Sequence, residues 1–159
     1  MVTKLPTTAL SGKTATMSGI NLGEDNLTIY DEGTWTPVVK AGSTDITTAG
    51  STSGKFTRVG NVVNVTCTLA FNRGSNSGTI TVSGLPVAAA SGVNAAFAVR
   101  LGNAVDSSPA VSASVAGGAT IIDMHVQPDS VDGTLAVMTE AQIKASTAAT
   151  MVITGHYFA

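Results

Sequence analysis

The sequence predicts an all-β fold, an antiparallel, jelly-roll-like β-sandwich at residues 31–159 behind an extended N-terminal arm at residues 1–30. Three observations predict it. From residue 34 on, short apolar runs are broken by turn residues at close intervals, the pattern of sandwiches and barrels. Val63, Val65, Cys67, Leu69 and Phe71 alternate with Asn64, Thr66, Thr68 and Ala70, a period of two that marks a strand with one buried face. A helical pattern is confined to residues 140–145, one turn opened by Thr139.

The elements follow in order. The arm has weak periodicity, with a short strand expected at 26–30. Its apolar residues Leu5, Ile20, Leu22, Leu27 and Ile29 have no partner within the arm, and they are expected to dock on neighbouring subunits. Trp35 opens the first sandwich strand and is expected to act as a core or intersubunit plug rather than as an exposed sugar-stacking platform. Residues 54–59 form a strand joined to 63–71 through Gly60-Asn61, a two-residue hairpin signal with glycine first. Strands follow at 79–83, 95–101 and 111–115. Gly117–Thr120 is a hairpin turn, and 120–126 alternates Ile122, Met124 and Val126 against Ile121, Asp123 and His125. Residues 134–138, carrying Leu135 and Val137, and residues 149–158 complete the set. There is no internal repeat and no heptad run.

Composition excludes several classes. The chain of 159 residues is 43% hydrophobic but only 11% charged, less than half the usual charged fraction. Ser and Thr make up about a quarter of it. Net charge is −2 and the basic residues are scattered from Lys4 to Lys144, so there is no basic stripe for nucleic acid. No apolar run reaches the roughly 18 to 20 residues of a membrane helix, and the opening MVTKLPTTALSG has no apolar signal-peptide core. The single Cys67 excludes an intrachain disulfide framework and fits folding in a reducing cytoplasm. A surface of small, uncharged side chains loses little entropy on ordering, which points to an obligate oligomer; a secreted, Thr-rich β domain is the alternative.

Chemistry is sparse. His125 and His156 lie on separate strands with no His or Cys at ligand spacing; a metal would need copies of one histidine gathered around a threefold axis. Glu24-Asp25 and Asp31-Glu32 are adjacent pairs whose side chains point to opposite faces of an extended chain. Asp129 and Asp132 flank a turn of the kind aspartate caps, and calcium-loop spacing is missing. No serine lies in a nucleophile elbow, Ser83 being a strand-end residue, and there is no phosphate loop or dinucleotide fingerprint. The expectation is therefore a protein that is not an enzyme, with no cofactor and no metal.

Four segments together resemble a known family. YDEGTWTP (30–37), GKFTRVGNVVNV (54–65), TVSGLP (81–86) and ITGHY (153–157) occur in this order. They are similar to the segments of the C-terminal head domain of tailed-bacteriophage tail-fibre and tailspike proteins. The resemblance covers about residues 30–159 and implies a trimeric β-sandwich on a virion, assembled in the host cytoplasm. The function it favours is a short tail-fibre or spike head that attaches to the host surface. Its partners would be two further copies of itself, other virion proteins through the arm, and a host surface glycan or protein, without nucleic acid or membrane insertion. Low charge and few aromatics suit a second reading, a capsid decoration trimer clamping major capsid subunits. A third is a lectin-like or adhesin β-domain, monomeric with a surface sugar site.

Overall fold

The computed structural model describes residues 20–21, 26–27, 29–75, 78–102, 111–127, 135–143 and 148–159. Its strands are β1 (Ile20–Asn21), β2 (Asn26–Leu27), β3 (Tyr30–Trp35), β4 (Val38–Ala41), β5 (Thr44–Asp45), β6 (Ser53–Val59) and β7 (Val62–Phe71). They continue with β8 (Ile80–Ser83), β9 (Ala95–Gly102), β10 (Val111–Val115), β11 (Ile121–Val126), β12 (Ala136–Val137) and β13 (Ala149–Phe158), with a 3-10 turn at Glu140–Gln142. β1 and β2 pair with each other; the rest join in one antiparallel sheet, β3-β6-β7-β13-β9-β10-β11-β8-β4-β5, with β12 on β11.

Connectivity forces this sheet to curl. β3 and β4 lie near opposite ends of the strand order, yet only Thr36 and Pro37 separate them. In a flat sheet those strands would stand about 40 Å apart, at about 4.8 Å per strand. Three Cα steps reach about 11 Å. The ends therefore come together, and all inward side chains meet in one core. The segment after β5 closes the same gap again: Thr48 bridges Phe71, and the Ala49 amide donates to the Ala70 carbonyl. β9 turns the corner, pairing β10 through Ala95–Phe97 and β13 through Ala98–Gly102.

The core is the alternation made visible. Val63, Val65, Cys67, Leu69 and Phe71 are buried, while Asn64, Thr66 and Thr68 are exposed on the opposite face. β13 pairs β7 over ten residues and buries Ala149, Met151, Ile153 and Tyr157. The other half adds Val82, Val115, Ile122, Met124 and Val126. Burial of each large apolar side chain contributes roughly 1.5–3 kcal/mol before ordering costs. At the β6–β7 turn, Gly60 has φ +59°, the left-handed conformation that a two-residue hairpin requires of its first position.

Three of the family-like segments meet around Trp35, which is 7% exposed and whose Nε1 donates to the Lys55 carbonyl. A Cβ on Gly54 would overlap the indole, and one on Gly84 would stand 2.5 Å from the Thr36 carbonyl oxygen. Gly84 also has φ +95°. The fourth segment packs elsewhere: a Cβ on Gly155 would come within 2.7 Å of the Phe97 ring, and the Tyr157 hydroxyl donates to the Val87 carbonyl at 2.8 Å. These segments are packing devices of one curled sheet.

The structure departs from the sequence reading in three places. Tyr30–Trp35, acidic and Gly-containing, is a six-residue edge strand of which five residues are exposed; with no face buried it leaves no alternation to read. The short strand expected at 26–30 is divided, its first two residues pairing in β2 and Tyr30 opening β3. Leu135 and Val137 face outward at 57% and 52% exposure, and Met138 is the buried member. The Met138 amide donates to the Met124 carbonyl and its own carbonyl accepts from Ile80, which sets that parity.

Candidate functional site

Cross-strand registration arranges the outer face of the curled sheet into rows. Over β3, β6, β7 and β13 the first row is Tyr30, Val59, Val62 and Phe158. The second is Glu32, Thr57, Asn64 and His156, and the third is Thr34, Lys55, Thr66 and Thr154. Cross-strand partners point to the same face, so each row is a line of neighbouring side chains.

The β6, β7 and β13 members of the second and third rows line a shallow concavity of about 340 Å³. Its polar groups are the Lys55 ammonium, the hydroxyls of Thr57, Thr66 and Thr154, the Asn64 amide and the His156 imidazole. The Thr154 hydroxyl donates to the Val65 carbonyl. His156 also borders a smaller hollow of about 170 Å³ with Val93, Asn94, Ala96 and Phe158. The side chains stand on paired strands, so the donors and acceptors are presented on a rigid floor. Such a surface can form hydrogen bonds to a polar partner.

The other half of the outer face is polar in a different way. Lys40, Thr81, Asp123 and Ser114 form one row across β4, β8, β11 and β10. Lys40 pairs with Asp45, and Ser114 Oγ lies 3.0 Å from His125 Nε2. Ser114, His125 and Asp123 thus share one face, with Asp123 opposite Ser114 in register. Sequence reasoning missed this grouping because the residues come from two strands and meet only through register.

Titration is perturbed at a few groups. Burial pushes the Cys67 thiol up to about 11. The Tyr157 phenol is raised, chiefly by burial. The Tyr30 phenol is raised by its hydrogen bond to the Glu32 carboxylate, then by that charge. Glu140 is fully buried; its Oε1 accepts from the Gly74 amide, while Oε2 has no hydrogen-bond partner among the described residues.

The residues singled out from sequence fall as follows. Trp35 is in the core of the single chain. Ile29 is half-buried, and its carbonyl accepts from Gly60 at the β6–β7 turn. Ile20 and Leu27 are register partners between β1 and β2. Leu5 and Leu22, like Asp129 and Asp132, lie outside the described residues. His125 and His156 are on separate strands. Among the described residues, no three His, Cys, Asp or Glu side chains gather as a metal site, and no helix is long and apolar enough to cross a membrane.

No family model matches the chain, and no curated protein matches it. Among solved structures, the fold matches the crystal structure of the Dettilon tailspike protein at a TM-score of 0.65 and 21% identity. The match covers 81% of this chain and 24% of the tailspike chain. The curled antiparallel sheet is thus a fold shared with one part of a tailspike, about a quarter of its length.

Proposed function

We propose that this chain is the head of a short bacteriophage tail fibre or tailspike, a homotrimer that attaches the virion to its host's surface and has no chemistry of its own. The observation that carries this reading is the fold shared with the Dettilon tailspike over 81% of the chain, joined to four ordered segments of the tail-fibre type. The polar concavity over β6, β7 and β13 is the proposed host-contact face, because it sets hydroxyl, amide, ammonium and imidazole groups on paired strands. The arm holds the head to the rest of the particle.

The test is adsorption. Purified protein added to host cells before the virus should reduce virus adsorption, and Lys55→Ala with His156→Ala should abolish that competition without changing the melting temperature. Antibody labelling of particles should fall on the tail. Label spread over the capsid shell would overturn the reading in favour of a decoration protein.

A further inference from the structure

We infer that the bare row Tyr30–Val59–Val62–Phe158 is the seat for the N-terminal segment, residues 1–28, of a neighbouring copy of this chain. The row stands out on the β3, β6, β7 and β13 half of the outer face. Tyr30, Val59 and Phe158 are 59%, 42% and 48% exposed, and Val93 beside Phe158 is 44% exposed. The two rows next to it are polar throughout. None of these four side chains belongs to the buried core. Contiguous exposed apolar surface bordered by polar residues marks a contact surface.

The occupant follows from where the chain enters. Tyr30 is itself the first member of the row, so residues 1–28 arrive at its end. They carry Leu5, Ile20, Leu22 and Leu27 in a sequence otherwise rich in Thr, Ser and Gly. β1 and β2 are two-residue strands that pair with each other and with no other described strand. An isolated hairpin of that size is marginal in water and needs a surface to rest on. The row is about 15 Å long, three strand spacings of about 4.8 Å, which fits a short extended segment or hairpin.

The row's exposure assigns the segment to a neighbour. Tyr30, Val59 and Phe158 stay exposed in the single chain, and β1 and β2 pair with each other rather than with β3, β6, β7 or β13. The Ile29 carbonyl is held by Gly60 at the tip of the β6–β7 turn, so the segment enters at the end of the sheet. A second copy beside that end presents its row to the departing chain. Exchange of this kind around a ring gives every copy one donated and one received segment.

The inference rests on the homotrimer in the proposed function, and cysteine pairing separates the two. Chains carrying Leu27→Cys alone are mixed with chains carrying Val59→Cys alone, refolded together and oxidised; mass is measured in parallel by sedimentation. The expected result is a trimer with disulfide-linked dimers that contain one chain of each kind. Neither kind refolded alone should cross-link. A trimer without mixed cross-links overturns the seat while leaving the homotrimer standing. A monomer overturns both. In the double variant L27C/V59C, a disulfide within one chain, with no link between chains, would assign the row to the chain's own arm and overturn the exchange. As a second reading, Val59→Ser with Phe158→Ser should weaken association at least tenfold while leaving the urea midpoint extrapolated to the dissociated chain unchanged.

Discussion

Two stretches of the outer surface rest on the same curled sheet and carry opposite chemistry. Over β4, β8, β11 and β10 the outward row is Lys40, Thr81, Asp123 and Ser114, with Lys40 paired to Asp45 and Ser114 to His125. Over β3, β6, β7 and β13 the terminal row is Tyr30, Val59, Val62 and Phe158. In the first, Lys40 and Ser114 find polar partners on neighbouring strands. The second leaves apolar area in water that the fold does not use, because the core is complete on the opposite face. Side chains that build the core and apolar side chains left in water are thus separated by parity along the same strands.

The largest effect comes from beneath both surfaces. Trp35→Ala removes the indole that Gly54 is shaped to receive and should cost about 3–5 kcal/mol in urea unfolding. Because one core supports both halves, the polar pair Ser114–His125 and the apolar row should be lost together, in one transition by circular dichroism. Separate transitions would show that the halves are independent.

Gly155→Ala sharpens the comparison from the inside. Its Cβ would press on Phe97 at 2.7 Å from the ring and 3.3 Å from the Phe97 Cα, so the β13–β9 corner must shift. Overpacking of this kind costs about 1–3 kcal/mol. It should disturb His156 and the concavity beside it more than the Ser114–His125 pair, which backbone amide shifts can map.

Cys67 reports on the core alone. Burial holds its thiol up to about 11, whereas a free thiol titrates near about 8.5. The folded form therefore keeps a proton that the unfolded chain has already lost. This contribution to stability is full below the unfolded value and is lost as pH rises through about 11. The urea midpoint of the wild type should fall across that window more than that of Cys67→Val. Ellman's reagent should not react with the native protein at pH 8.

Ser114→Ala is the smallest perturbation. The hydroxyl bonds His125 on a half-exposed strand, so stability should change by about 0.5 kcal/mol or less, with oligomer mass unchanged. A large loss at this site would show that the polar half also holds a partner.

Much of the inner architecture was legible in the sequence and little of the outer was. β7 and β13 announce themselves because each buries one full face, so their residues alternate. β3 does not, because an edge strand exposed on both faces selects neither alternation nor apolarity. Leu135 and Val137 left their face open for a related reason: two apolar residues at period two suggest a face but not which one, and the backbone bonds of Met138 decide it. The apolar row was invisible because its four members come from four strands and become neighbours only through register. The grouping of Ser114, Asp123 and His125 was hidden in the same way. Trp35 stood out as a plug, but its glycine socket at Gly54 lies 19 residues along the chain and needs the β3–β6 pairing to be recognised.

The most direct test of the division between core and contact surface is sedimentation of the wild type and of the Val59→Ser, Phe158→Ser double variant at micromolar concentration, each with its urea midpoint at matched subunit concentration and extrapolated to the dissociated chain. The wild type should be trimeric and the variant monomeric, with a dissociated subunit that unfolds at the same midpoint. A variant that stays trimeric, or one whose isolated subunit is destabilised by several kcal/mol, would contradict that division.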